Sequence, residues 1–204
     1  MPKHLRVFAA LVACALAACG TDSTQPSRLI PTGGPALGLF DPPVVVDVLQ
    51  RSQPLLHNFS ATGVIGRGGG VLRIPEAGFS ITFPLNAVRE PTTITVTALE
   101  GSAVAYTFEP HGLVFNKAPV ISQDLRGTEV FRNPTLLLGL EGVYFLDESH
   151  LSGLTAIIRE TRPALVDLLS WRMRFDVQHF SGYSVSTRRG GYINSSGNLI
   201  PFER

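Results

Sequence analysis

The chain has 204 residues, of which 44% are apolar and 16% are charged, and its formal net charge at pH 7 is +1. This length fits one modest folded unit, and the apolar fraction is sufficient for a core. The small net charge gives no electrostatic attraction to nucleic acid or to anionic lipid, so we expect no nucleic-acid partner.

The first nineteen residues combine charged, apolar and small residues in a fixed order. Lys3 and Arg6 accompany an apolar stretch over residues 5–15, which is too short to span a bilayer and is typical of a secretory signal. The run Leu16-Ala17-Ala18-Cys19 then resembles the lipobox of bacterial lipoproteins, in which the cysteine is lipidated and the leader is cut before it. The resemblance implies a signal peptide over residues 1–18, lipidation of Cys19, and membrane attachment through that lipid.

The residue after Cys19 bears on localisation. Gly20, rather than Asp, resembles the pattern that is sorted to the outer membrane in many Gram-negative bacteria. We therefore expect a lipid-anchored protein of the bacterial cell envelope, with the outer membrane favoured over the inner. The alternative is an ordinary cleaved signal peptide in which Cys19 occurs by chance. With Cys14 in the leader and Cys19 lipidated, the mature chain has no thiol for a disulfide.

Residues 19–62 have the composition of a linker. Their prolines and glycines interrupt any sustained hydrophobic period, which predicts a disordered Pro/Gly-rich tether. One short apolar run over 44–49 is a candidate strand, although its length does not distinguish a strand from the start of the packed unit. We therefore place the folded domain at 63–187 and a C-terminal tail at 188–204.

The domain region is dominated by alternation of apolar and polar residues, with Gly and Pro between the alternating runs. This period of two predicts half-buried strands, and short strands at this spacing predict an all-β sandwich. Residues 151–169 are ambiguous, since they fit a helix nearly as well as two short strands around Pro163. The predicted core consists of Phe79, Ile81, Phe83, Ile94, Val96, Trp171, Phe175 and Val177.

The clearest alternation runs from Trp171 to Val185 and predicts one regular closing strand. Successive side chains of a strand point to opposite faces. The pattern therefore predicts that His179 and Ser181 point inward and that Phe180 points outward.

Five segments of this region, and Ala87 between them, resemble a known domain family: residues 69–75, 78–84, 91–96, 108–115 and 179–183. Together they resemble the ZU5 domain, a β-sandwich of ankyrins, netrin receptors and death-domain adaptors. The resemblance implies a ZU5-like β-sandwich that acts as a protein-binding or scaffolding module, with another protein as its partner. It carries over no ligand-binding residues, because the interface loops of the animal domains are not matched.

Motifs of enzymes and cofactor sites are weak in this chain. The histidines show no close pairing of metal-ligand type, and the glycines at 66–70 lack the pattern of a nucleotide-binding loop, so we expect no metal and no cofactor. Gly182–Ser186 lacks the final glycine of a hydrolase elbow, which leaves a hydrolase as the weaker alternative. The Pro-His-Gly setting of His111 predicts a turn. The motifs of the chain identify no small-molecule substrate.

The triplet His179-Phe180-Ser181 is the one candidate for chemistry. In some ZU5-bearing death-domain adaptors a His-Phe-Ser triplet cuts itself between Phe and Ser. The serine hydroxyl attacks the preceding carbonyl, an N-to-O acyl shift gives an ester, and water hydrolyses it, while the histidine takes the hydroxyl proton. Because the surrounding alternation predicts a regular strand with planar amides, we predict a structural role and no enzyme activity. Self-cleavage between Phe180 and Ser181 is the alternative.

Overall fold

A computed structural model of the protein describes residues Pro42–Phe202. Strands dominate this part of the chain, and its helices are four short 3₁₀ turns at Pro75–Ala77, Glu129–Phe131, Pro134–Gly139 and Glu148–His150. No helix in the described range is long and apolar enough to cross a membrane. The strands are β1 (Val44–Val48), β2 (Gln50–Leu55), β3 (Phe59–Ile65), β4 (Gly70–Ile74), β5 (Phe79–Phe83), β6 (Thr92–Ala98), β7 (Gly101–Ala103), β8 (Ala105–Glu109), β9 (Val120–Asp124), β10 (Glu141–Phe145), β11 (Leu151–Ser152), β12 (Thr155–Ile158), β13 (Glu160–Pro163), β14 (Leu165–Asp167), β15 (Arg172–Asp176), β16 (Gly182–Ile193) and β17 (Leu199–Pro201).

Two antiparallel sheets face each other across the main core, which confirms the predicted all-β, sandwich-like fold. The five-stranded sheet has the order β14-β15-β9-β5-β4, and the ten-stranded sheet contains the path β11-β12-β1-β16-β8-β6-β3. Aromatic rings connect the two sheets, since the Phe79 ring of β5 lies 4.2 Å from the Tyr106 ring of β8. Such pairs add a geometric preference to the free energy gained by apolar burial.

Most of the predicted core is confirmed. Seven of the eight residues are buried, and alternation along β5 and β6 places their apolar side chains between the sheets. Trp171 is the exception, because it is only half-buried and lies in a turn with φ of 51°. The left-handed backbone of Trp171 belongs to the turn that precedes β15, so the strand starts only at Arg172.

A second, smaller core lies beside the first. β16 pairs with β1 and β10, β12 pairs with β1, and β13 pairs with β10, so these pairings form one path, β12-β1-β16-β10-β13. The backbone N–H of Arg159, between β12 and β13, donates to the carbonyl of Tyr144 at 2.9 Å. The side chains packed together here are Val46, Val48, Val143, Ala156 and Ile158. The ambiguous stretch 151–169 therefore folds as strands.

The domain boundaries differ from the sequence prediction at both ends. β1, β2 and most of β3 fall within 44–62, which the sequence assigned to the tether, so the packed unit already includes β1 and does not begin at residue 63. Likewise β16 continues to Ile193 and pairs with β17, so 188–204 is not simply a tail. Pro54 and the polar residues of β2 conceal this strand from a search for alternation. The tether residues before Pro42 lie outside the described range.

The predicted closing strand is two strands in different sheets. β15 pairs with β9 and β14 in the five-stranded sheet, whereas β16 belongs to the ten-stranded sheet. Residues 177–181, the crossing segment, connect them outside any strand. Side chains need not alternate between two faces in a segment outside any strand, and the inferred faces are wrong at His179, Phe180 and Ser181. Beyond the crossing segment, Tyr183 and Val185 are buried in the main core as predicted.

Candidate functional site

Phe180 is the centre of the crossing segment, and its position contradicts the outward orientation predicted from alternation. The side chain is fully buried, at 0% exposure. Its ring centroid lies 4.8 Å from that of Phe108 and 4.7 Å from that of Phe115. The segment therefore inserts an aromatic side chain between the sheets at the point where the chain passes from one sheet to the other.

The Phe180-Ser181 peptide is held by hydrogen bonds on both sides. The Phe180 N–H donates to the Leu113 carbonyl at 3.0 Å, and the Phe180 carbonyl accepts from the Gly112 N–H at 2.8 Å. The Ser181 carbonyl accepts from the Phe108 N–H at 2.9 Å. These bonds satisfy the backbone of a segment that has no regular ladder. They also limit the out-of-plane motion that an acyl shift requires.

His179 is half-exposed and does not point into the core as predicted. Its Nε2 lies 3.3 Å from Oε2 of Glu160, and its ring meets the Tyr144 ring edge-on at 4.5 Å. The other oxygen of Glu160 lies 2.5 Å from Nη2 of Arg162, which in turn lies 3.8 Å from Asp176 through Nη1. The histidine is thus the outer member of a charged network between β13 and β15.

The Ser181 hydroxyl and the His179 ring have different partners. The Tyr144 hydroxyl donates to Oγ of Ser181 at 3.3 Å, and the Tyr183 hydroxyl donates to the His179 carbonyl at 3.0 Å. Burial raises the pKa of Tyr183, and the nearby Glu160 carboxylate raises it further. No hydrogen bond within residues 42–202 joins the His179 ring to the Ser181 hydroxyl, so the histidine is not in position to take its proton.

Two neighbouring positions bear on the alternatives from sequence. A Cβ added at Gly182 would lie 2.1 Å from the Phe145 ring, so this glycine makes room for a core aromatic. Ser184, in the motif that resembles a hydrolase elbow, is buried in β16 and donates to the Val104 carbonyl at 2.8 Å. This position does not favour the hydrolase alternative, because a nucleophilic serine needs access to substrate.

The remaining predicted residues are separate from the triplet or outside the described range. His111 is exposed in a turn, as its Pro-His-Gly setting predicts, and the next residue supplies the N–H that binds the Phe180 carbonyl. Within residues 42–202, no group of three or more His, Cys, Asp or Glu side chains could hold a metal ion. Cys19 lies outside the described residues.

Sequence reasoning missed the residues that surround the triplet. Glu160 and Tyr144 come from β13 and β10, in a region where alternation predicted no definite strand, and Gly112 belongs to a turn almost seventy positions away. Only the tertiary structure joins them. The one local signal of the charged network is the spacing of Glu160 and Arg162, which are two positions apart on β13. Alternate residues of a strand share a face, so this spacing places the two side chains together.

A second surface feature is a hairpin turn that presents two leucines. Leu168 and Leu169 connect β14 to β15 and are 59% and 96% exposed. Asp167 holds the turn, since its carboxylate accepts from the Leu169 N–H at 3.0 Å and from the Ser170 hydroxyl at 2.6 Å. The Ser170 hydroxyl bond lowers the pKa of Asp167 first, and the backbone bonds lower it further. We call Leu168 and Leu169 the leucine tip.

Aromatic residues form the base of the leucine tip. The rings of Trp171 and Phe131 meet edge-on at 4.9 Å, and Phe131 is 50% exposed. The Trp171 carbonyl accepts from the Leu125 N–H at 2.8 Å, which ties the turn to the end of β9. The tip is therefore an apolar projection with a fixed backbone.

Comparison of the chain with protein-family models and with curated proteins finds no match to either.

Proposed function

We propose that the protein is a lipid-anchored component of the bacterial cell envelope whose ZU5-like β-sandwich acts as a protein-binding or scaffolding module. The lipidation site is Cys19, and the outer membrane is the favoured location. Support for the anchor comes from the lipobox-like run before Cys19. Support for a binding role comes from the leucine tip.

The leucine tip carries the binding proposal. Large apolar side chains cost free energy in water, and this turn holds two of them outward side by side. Because Asp167 already orders the turn, the turn loses little conformational entropy when a partner binds. Trp171 and Phe131 at its base belong to the residue types that contribute most to interfaces. The occupant we propose is a protein with an apolar cleft.

The anchor is tested by fractionation of cells that express the protein or its Cys19→Ala variant. Each buried methylene of an acyl chain contributes about 0.8 kcal/mol, so loss of two or three chains should release the near-neutral domain. We expect the wild type in the membrane fraction and the variant in the soluble fraction. A variant that stays in the membrane through detergent-free washing contradicts lipidation of Cys19.

The leucine tip is tested by photo-crosslinking in cells, with the reactive residue at position 169 and a control at position 85. Leu85 is a matched control because it is also exposed, at 64%, and lies in a separate loop. We expect a discrete protein adduct from position 169 alone. Adducts with lipid, or equal adducts from both positions, would contradict a protein-binding role for the tip.

Self-cleavage between Phe180 and Ser181 is the second candidate, favoured by the 2.8 Å bond from the Gly112 N–H to the Phe180 carbonyl. A donor at this oxygen could stabilise the oxyanion formed when the Ser181 hydroxyl attacks. Against it stand the tyrosine partner of the serine and the buried Phe180 ring. The first proposal therefore fits the geometry better.

The intact mass of the denatured mature protein distinguishes the two. One chain that ends at Arg204 agrees with a structural role for the triplet. Two chains, with a new amino terminus at Ser181 that disappears in Ser181→Ala, would establish self-cleavage. A Ser184→Ala variant, altered at a buried serine of the same strand region, should leave the pattern unchanged in either case.

A further inference from the structure

Arg51 is a buried cation on β2, with only 7% of its surface exposed. Its Nη1 donates to the backbone carbonyls of Leu99 at 3.3 Å and Gly101 at 3.4 Å, and also to that of Ala103. Its Nε and Nη2 have no hydrogen-bond partner among residues 42–202. No carboxylate of that range forms a salt bridge with Arg51.

This arrangement is unfavourable for the isolated fold. A buried charge without a counter-charge is destabilising, and so is a buried donor without an acceptor. The two unused nitrogens are also not a random pair. Nε and Nη2 form one edge of the planar guanidinium, and such an edge binds a carboxylate through two parallel hydrogen bonds. The part of Arg51 that lacks a hydrogen-bond partner is therefore an edge with the geometry of a carboxylate-binding fork. Both of its nitrogens are closed to solvent in the structure, so a ligand reaches them only when neighbouring side chains move.

Arg51 lines a cavity of about 340 Å³ at one edge of the sandwich. A cavity of this size is within the range that accepts a small ligand. Gln123, Arg126 and Thr128 are among the polar residues that also line it. The centre of the Arg51 guanidinium lies 5.7 Å from the centroid of the Tyr106 ring, which packs against the cation on one side.

The carboxylates near this cavity are engaged elsewhere or lie at its rim. Asp124 is 3.4 Å from Arg126 through Nη1 and 3.7 Å from Arg172 through Nη2, so its charge is offset. Glu76 is exposed in the turn at Pro75–Ala77. The cavity walls carry two arginines, Arg51 and Arg126, and two carboxylates, Glu76 and Asp124, so a preference for an anion comes from the unpartnered edge of Arg51 and not from net charge.

A second depression of about 670 Å³ adjoins the first, and the two share Pro75, Gly78 and Asp124 in their walls. It lies on the outer face of the five-stranded sheet. The strand register places Arg174, Ser122, Ser80 and Arg73 in one row across that face. The row covers three strand spacings, about 14 Å. Neither Arg73 nor Arg174 forms a salt bridge with another described residue.

We propose that this edge of the sandwich binds a small ligand with two or more carboxylates. One carboxylate lies on Nε and Nη2 of Arg51, and Arg73 and Arg174 bind the remaining negative charge. This activity is separate from the protein-binding function proposed above, since the leucine tip and the Arg51 cavity share no lining residue. Failure of either proposal therefore leaves the other unaffected.

The test is a titration of the ¹⁵N-labelled domain, followed by the Nε–H resonances of its arginines, with citrate, acetate and inorganic phosphate as probes. We expect citrate to shift the Arg51 Nε–H saturably, with a Kd of about 1 mM or tighter. We expect acetate to bind at least about tenfold more weakly, because it cannot also reach Arg73 and Arg174. Tighter binding of phosphate than of citrate would overturn the assignment to carboxylates.

Variants separate the site from nonspecific charge effects. Arg51→Lys keeps the charge but removes the fork, and it should abolish saturable binding of citrate. The exposed pair Arg73→Gln and Arg174→Gln should reduce citrate affinity about tenfold while acetate binding persists, which keeps the test valid if Arg51→Lys does not fold. Arg159→Gln, an exposed residue elsewhere, is the control and should change nothing. An Arg51 resonance that no probe shifts, or equal citrate affinity in all variants, would overturn the proposal.

Discussion

Phe180 and Arg51 are both buried, yet the fold satisfies them to different degrees. Phe180 packs against aromatic rings, and both its N–H and its carbonyl have backbone partners. Arg51 uses one nitrogen on three carbonyls and leaves the opposite edge of its guanidinium without an acceptor. One site is complete within the chain, and the other is complete only with a ligand.

The difference shows how burial distinguishes structural sites from binding sites. A sequence that places Phe180 in a core gains free energy from the fold alone. A sequence that places Arg51 at 7% exposure loses free energy unless something else compensates it. A buried group that is unsatisfied therefore deserves a functional hypothesis more than a buried group that is satisfied.

The largest expected effect is on the complete site. Phe180→Ala removes a fully buried ring from among three others, and we expect it to lower the free energy of unfolding by about 3 to 5 kcal/mol. Urea denaturation measures this difference. Leu169→Ala, at a position 96% exposed, should change it by less than about 0.5 kcal/mol. Equal losses in the two variants would mean that Phe180 does not belong to the core.

The next effect concerns the tyrosine beside Arg51. Burial raises the pKa of Tyr106 to about 12, although the Arg51 charge opposes the rise. In the unfolded chain the Tyr106 hydroxyl ionises near pH 10. The contribution of this group to the free energy of unfolding is therefore fully present below pH 10 and is lost as pH rises through about 12. We expect a loss of about 2 kcal/mol between pH 10 and pH 12 from this group.

Urea denaturation at several alkaline pH values, in the wild type and in Tyr106→Phe, measures that loss. The variant has no phenol to ionise at position 106, so its stability should fall less steeply over the same interval. The raised pKa of Tyr183 contributes to the slope that remains. Identical slopes in the two proteins would contradict a buried, neutral Tyr106.

The smallest effect tests the partners of the triplet. Tyr144→Phe removes the hydroxyl that donates to Ser181 at 3.3 Å, and we expect a loss of about 1 kcal/mol in the free energy of unfolding. The chain should still have its full mass after purification, because the hydroxyl is not needed to protect a peptide held by its own backbone bonds. Cleavage that appears only in Tyr144→Phe would mean that this tyrosine restrains the serine.

Alternation predicted the strands that keep one sheet from end to end. Phe79–Phe83 is such a strand, and its odd residues are buried as predicted. Alternation failed at residues 179–181, because the chain crosses between the sheets there outside any strand and its side chains no longer alternate between two faces. Alternation also failed to predict β2. Arg51 in this strand is buried through hydrogen bonds to backbone carbonyls of residues 99–103, and such distant partners leave no pattern in the sequence around Arg51.

The candidate sites divide in the same way. The sequence identified the His179-Phe180-Ser181 triplet, because a motif is contiguous in the chain. Its charged and hydroxyl partners, Glu160 and Tyr144, come from other strands and follow only from the fold. The Arg51 site has no motif at all, and it is visible only as an imbalance between donors and acceptors.

The central claim is that the buried guanidinium of Arg51 is satisfied only when a carboxylate ligand binds it, whereas Phe180 is satisfied by the chain itself. Its most direct test is the free energy of unfolding of the wild type, Arg51→Lys and Phe180→Ala, each with and without citrate. A ligand that binds only the folded state stabilises by about 2.7 kcal/mol at 100 times its Kd. We predict equal stabilisation of the wild type and Phe180→Ala and none of Arg51→Lys. Equal stabilisation of all three, or of none, would contradict the account.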